Sequence, residues 1–84
     1  MFYLYILKSK LDNIIYIGYT DNLRRRFSEH NSGKNIATKN HLPWELIYYE
    51  AYKAKTDAKY RESNLKRFAQ AYTALRQRVR NSLI

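Results

Sequence analysis

Two stretches, Phe2-Tyr3-Leu4-Tyr5-Ile6-Leu7 and Ile14-Ile15-Tyr16-Ile17-Gly18-Tyr19-Thr20, decide how this chain folds. Both are rich in aliphatic, β-branched and aromatic residues, and the turn-like Lys10-Leu11-Asp12-Asn13 lies between them, so they read as a β-hairpin. A four-residue loop at 10–13 sets the pairing so that opposed residue numbers sum to 23. Tyr5 then faces Gly18, and Leu7 faces Tyr16. In that register Tyr5, Tyr16 and Gly18 share one face of the sheet. The two tyrosines are diagonal neighbours, and Gly18 leaves space beside them.

Beyond the hairpin, Thr20 or Asp21 is placed to cap a helix running to about Asn31, with Gly33 as its stop signal. Residues 34–43 form a polar loop that ends at Pro43, the only proline. The stretch Trp44-Glu45-Leu46-Ile47-Tyr48-Tyr49-Glu50-Ala51-Tyr52 has the composition of a third strand. Thr56 is placed to cap a second helix over 57–68, and a third helix over about 70–80 carries Ala71, Leu75 and Val79 on one stripe. The expected class is α/β: a small three-stranded antiparallel sheet flanked by about three helices, in the order ββαβαα. No repeat or low-complexity tract interrupts it, and residues 1–84 read as one domain.

Composition narrows the chemistry. A chain of 84 residues has room for one modest core. It has no cysteine and only His30 and His41, so disulfides, thiolate sites and a multi-histidine zinc cage are excluded, and any metal should be a hard cation on oxygen ligands. No apolar run approaches the roughly 20 residues that span a bilayer. The N-terminus has neither a basic leader nor a small-residue cleavage site, which points to a cytoplasmic protein. The formal charge is +9 and it is uneven: residues 1–50 carry seven basic and five acidic side chains, residues 51–84 nine and two. Such a balance suits a polyanionic partner, although a charge run alone also fits a solvated helical surface.

Several residues break the hydrophobic pattern. Leu23, Arg26, Phe27 and His30 share the core-facing stripe of the first helix, yet two of them are polar. On the second helix Ala58, Glu62, Leu65 and Ala69 form the corresponding stripe, where Glu62 is a lone acid among Lys59, Arg61, Lys66 and Arg67. Burying such groups is costly unless something pairs with them. One reading is a Glu62 to Arg26 ion pair tying two helices together. The other is a pocket of carboxylate, guanidinium, imidazole and phenols around a metal and a phosphate, since one carboxylate holds Mg²⁺ when waters and substrate oxygens complete its shell. Tyrosine is also in excess, nine of 84 residues, and most of these suit half-buried packing. Tyr5 and Tyr16 differ because their hydroxyls share a face, where a metal or arginine could lower a phenol pKa enough for general-base work.

The order Tyr5, ten residues, Tyr16-Ile17-Gly18, then Asp21-Asn22-Leu23-Arg24-Arg25-Arg26-Phe27-Ser28-Glu29-His30 and a later helical Glu62 resembles the GIY-YIG nuclease superfamily over nearly the whole chain. Within it, Thr38-Lys39, Pro43-Trp44-Glu45-Leu46-Ile47-Tyr48-Tyr49-Glu50 and Arg61-Glu62-Ser63-Asn64-Leu65-Lys66 look like the small stand-alone bacterial branch related to the excision repair endonuclease subunit. Tyr3-Leu4-Tyr5 stands where Gly-Ile-Tyr is usual, so only Tyr5 carries over from the first motif.

The resemblance implies a metal-dependent DNA endonuclease or nickase, structure-preferring or nonspecific, with a role in DNA repair or processing. Glu62 would hold a single Mg²⁺ or Mn²⁺, Tyr5 or Tyr16 would help activate water, and Arg26 would neutralise the scissile phosphate. His30 would polarise a tyrosine or position the phosphate. Gly18, Thr38, Lys39, Lys66, Arg76 and Arg80 are the expected nucleic-acid contacts, with Asn81 a further candidate near the leaving group and Asn64 a weaker one. No separate recognition domain is legible, so binding should be salt-sensitive and weakly specific. A monomer with one site would nick one strand. The competing reading is a catalytically weak nucleic-acid-binding module, for DNA or RNA, that uses the basic C-terminal helices.

Overall fold

The computed structural model describes residues 1–84. The elements are β1 (Phe2–Ser9), β2 (Ile15–Thr20), α1 (Leu23–Asn31), β3 (Trp44–Tyr52), α2 (Lys55–Arg67) and α3 (Ala69–Arg78), with a short 3₁₀ turn at Lys39–His41 before β3. This is the expected ββαβαα order. The strands form one antiparallel sheet in the order β2-β1-β3. Tyr5 pairs with Gly18 and Leu7 with Tyr16, the register set by the hairpin loop. Ser9 organises that loop: its hydroxyl accepts from the Leu11 and Asp12 amides and donates to the His41 carbonyl.

The central strand β1 is buried on both faces, which is why Leu4-Tyr5-Ile6-Leu7 reads as a continuous apolar run without alternation. Its even and odd positions feed different layers. Behind the sheet, Leu4 and Ile6 pack with Leu65 of α2 and with Leu75 and Val79 at the α3 end. In front, Tyr5, Leu7 and Trp44 pack with Leu23 and Phe27 of α1, Tyr16, Leu42 and Leu46.

Three local expectations are corrected. The α1 cap is Asn22, whose Oδ1 accepts from the Arg25 amide; Thr20 instead accepts from the Asn22 amide and Asp21 pairs with Arg25. Helix α2 starts at Lys55 after Ala54, which offers no side-chain cap, so Thr56 lies inside the helix. Phe68 is extended (φ −118°, ψ 111°) and separates α2 from α3, so Ala69 opens α3 as an exposed residue and does not extend the α2 stripe.

Helix α2 is fixed to the sheet by a polar knot on its β3 side. Glu50 accepts from the Tyr48 hydroxyl at 2.6 Å, from the Tyr52 hydroxyl, and from Arg61 Nε at 3.0 Å and Nη2 at 3.1 Å. Burial alone would raise the Glu50 pKa, but these bonds and the Arg61 charge outweigh it and hold the carboxyl below its ordinary value. Burial and the bond to Glu50 push the Tyr52 phenol up to about 12. Because the folded pKa of Glu50 is depressed, its contribution is complete above the unfolded value near 4.3 and is lost as pH falls through the folded value. Glu50→Gln should therefore cost about 2 kcal/mol at neutral pH, a partly exposed pair with charge-assisted bonds, and that cost should shrink toward pH 3. Urea unfolding of both proteins across this range provides the check.

Candidate active site

The front layer is organised by the ring of Tyr5, which lies across Gly18 of β2. A Cβ on Gly18 would overlap the phenol Cζ and hydroxyl and stand 2.9 Å from Cε1, so only glycine leaves the ring its path. The Tyr5 hydroxyl meets His30 Nε2 at 2.8 Å, and His30 Nδ1 meets Thr38 Oγ1 at 2.8 Å. Tyr5 is 1% exposed, and His30 and Thr38 are fully buried. Tyr16 closes over this chain with its ring centroid 4.9 Å from that of His30 in an edge contact, and Trp44 donates through its indole to the Thr38 carbonyl at 3.0 Å.

Electrostatics give the chain a direction. Burial pushes the Tyr5 phenol up to about 12; the Arg26 guanidinium, which approaches the hydroxyl, works the other way and does not prevail. The lowering that an arginine could bring to such a phenol is present here, but desolvation outweighs it. Burial, followed by the Arg26 charge, lowers the His30 pKa, so the imidazole is neutral at pH 7. A neutral imidazole accepts through one nitrogen only, yet two buried hydroxyls flank it. The Arg26 cation favours a phenol oxygen whose proton is turned away. That arrangement has Tyr5 donating to Nε2 and Nδ1–H donating to Thr38.

Arg26 is one-third exposed and pairs with Glu29 at 3.2 Å, while Glu62 accepts from Lys66 Nζ at 3.1 Å. The Glu62 to Arg26 ion pair considered from the sequence is thus not formed. Partial burial opposes it, but contacts with Tyr5 and Glu29 raise the Arg26 pKa and keep its charge secure. Glu62 lies close enough to Tyr5 for its charge to oppose ionisation of the phenol. Its side chain is 22% exposed, directed to the free edge of β2 where Lys66 Nζ stands 6.0 Å from the Tyr16 ring centroid.

The structure therefore gathers Tyr5, Tyr16, Arg26 and His30 in the front layer, with Glu62 of α2 near enough to Tyr5 for their charges to interact. No group of three or more His, Cys, Asp or Glu side chains gathers anywhere in the molecule. A partly exposed carboxylate near phenolic oxygens suits a single hard divalent ion that keeps most of its waters. Two expected nucleic-acid contacts are corrected: the Thr38 hydroxyl is buried against His30, and Gly18 is buried under the Tyr5 ring, so neither offers a surface to a strand. Lys39 is exposed in the 3₁₀ turn. Arg76, Arg80 and Asn81 are exposed at α3 and the turn after it, in the layer behind the sheet, and do not join the cluster. The sequence reading missed Glu29 as the Arg26 partner, although the i, i+3 spacing signals it.

Comparison with known proteins identifies the family and the fold. The model of the GIY-YIG catalytic domain matches residues 1–75. The chain belongs to the GIY-YIG family. Among its relatives is the UPF0213 protein SH2523 of Staphylococcus haemolyticus, 43% identical over 68 residues, covering 80% of this chain and 82% of that one. A UPF0213 protein of Streptococcus pneumoniae serotype 4 is 44% identical over 66 residues, covering 77% and 66%. The solution structure of the UPF0213 protein BH0048 from Bacillus halodurans superposes with a TM-score of 0.55 at 32% identity, covering 89% of this chain and 81% of that one.

The space above Gly18 provides a direct test. Gly18→Ala should destabilise the protein by about 1–3 kcal/mol through overpacking against the Tyr5 ring. In a Tyr5→Leu background, where the overlapping ring atoms are gone, the same substitution should cost far less. Denaturant midpoints of the four proteins in this cycle measure the difference.

Proposed function

We propose that the chain is a divalent-metal-dependent DNA endonuclease or nickase that hydrolyses phosphodiester bonds, nonspecifically or with a preference for DNA structure. The observation that carries this reading is the gathering of Arg26, two tyrosines and a neutral buried histidine in the front layer, with Glu62 near enough to Tyr5 for their charges to interact. A purely structural cluster does not need a lone carboxylate held by a surface lysine there.

Each residue then has a distinct task. Glu62 would hold the Mg²⁺ or Mn²⁺, whose chemistry when bound is Lewis-acid neutralisation of charge on the phosphate and leaving oxygens. Arg26, held between Tyr5 and Glu29, donates to a nonbridging phosphate oxygen as charge builds on it. Tyr16, the more exposed phenol, meets the attacking water. Tyr5 sits too deep for that and, with its high pKa, is no base in the resting protein. It links Arg26 to His30, and the neutral imidazole can take the phenolic proton when a proton reaches Tyr5 from the water side. Thr38 keeps the imidazole in the orientation that leaves Nε2 open. Water oxygen bonds to phosphorus as the bond to the leaving sugar oxygen breaks.

The test is nicking of supercoiled plasmid with Mg²⁺ or Mn²⁺ and with chelator. The parent protein should convert plasmid to the open circle only with metal. Glu62→Gln should abolish this, yet change stability by less than about 1 kcal/mol because its partner Lys66 is solvent-exposed. Arg26→Ala should slow turnover of bound DNA by about 10²-fold with little loss of binding. A folded Glu62→Gln protein that nicks at the parental rate would remove the metal-ligand role and leave a nucleic-acid-binding module as the better reading.

A further inference from the structure

Glu62 is not isolated on its side of α2. Lys55, Lys59, Glu62 and Lys66 follow at spacings of four, three and four residues, which places all of them within about 60° of one another around the helix. This flank faces β2: Lys59 Nζ stands 5.6 Å from the Tyr19 ring centroid and Lys66 Nζ 6.0 Å from that of Tyr16. Arg61, about 100° away from Glu62, is committed to Glu50 on the β3 side. The salt bridges of the chain leave Lys55 and Lys59 without a carboxylate partner, and Lys66 is held by Glu62 alone.

We propose that this flank is the track for the sugar-phosphate backbone of the cleaved strand, with Lys59 and Lys66 holding phosphates on either side of the one above Glu62. The proposal rests on the nuclease reading and adds the strand's path. Lys59 and Lys66 are about 10.5 Å apart along the helix, roughly three 3.4 Å rises of a B-form strand. A carboxylate alone would repel the strand it must approach, and the flanking ammonium groups offset that repulsion. Lys59 rests near Tyr19 on the back face of β2 and Lys66 near Tyr16 on its front face, so the two cations bracket the strand's edge. Lys66 has a double use: passing from Glu62 to a phosphate frees the carboxylate oxygen when a strand arrives. Lysines act here as point charges without the bidentate fork of arginine, so the track reads backbone and not sequence. The footprint thus lies on α2 at the β2 edge, whereas Arg76 and Arg80 belong to the layer behind.

The experiment is binding of a short fluorescent duplex in chelator, without turnover, as a function of salt. Lys59→Ala and Lys66→Ala should each flatten the slope of log affinity against log salt by about 0.9, and Lys59→Arg should restore it. The double Arg76→Ala, Arg80→Ala protein should keep the parental slope. Unchanged slopes for Lys59→Ala and Lys66→Ala, in a parent that binds DNA, would overturn the track and leave the nuclease reading standing. Equal slope losses from the α3 pair would also overturn it. A parent with no measurable DNA affinity at any salt would remove the nuclease reading and the track together.

Discussion

The hydrogen bond from Tyr5 to His30, formed across the space that Gly18 leaves open, is the constraint on which the rest of the site depends. It joins the central strand to α1 through two side chains that would each be costly to bury alone. His30 sits on the core-facing stripe of α1 because Tyr5 satisfies one ring nitrogen and Thr38 the other. The loop before β3 is tied into the same bond set, since Thr38 also receives the Trp44 indole through its carbonyl. Strand, helix and loop therefore share one polar axis inside an otherwise apolar front layer. Arg26 is aimed by that axis and remains partly open to solvent.

Helix α2 divides its polar residues between two flanks. Arg61 faces β3 and is bound by Glu50, Tyr48 and Tyr52 are gathered on the same carboxylate, and this knot sets the rotation of the helix. Glu62, the next residue, is turned by about 100° toward β2 in consequence. The buried positions Ala58 and Leu65 lie between these flanks, and Leu65 packs against the back of the sheet. The Arg61–Glu50 pair and the Glu62 carboxylate, carried at adjacent positions, are thus separated by helical geometry alone, and the lysines that accompany Glu62 follow from the same periodicity.

Much of this was legible in the sequence because it depends on periodicity and loop length. The 10–13 loop fixed the pairing of Tyr5 with Gly18, and the α1 stripe marked Arg26 and His30 as polar residues facing inward. The errors have local causes. Asn22 took the cap from Thr20 and Asp21 because each of those found another partner. Thr38 was read as a surface contact although a buried His30 requires a partner for its second ring nitrogen, and a hydroxyl in the loop behind it was the available signal. The Glu50 knot joins residues on β3 and α2, and nothing in either segment alone indicates how they meet. The uneven charge was visible, but sequence position could not separate the α2 flank at the site from α3 behind the sheet.

The axis also makes a definite statement about one proton. With burial and Arg26 both disfavouring its charged form, His30 should be neutral at pH 7, with its proton on Nδ1 toward Thr38 and Nε2 accepting from Tyr5. Nitrogen-15 NMR of the imidazole rings during a pH titration measures protonation state and tautomer together. His30 should titrate below the ordinary value near 6.5 and show the Nδ1–H form at neutral pH. A His30 that is charged at pH 7, or neutral with its proton on Nε2, would contradict that expectation.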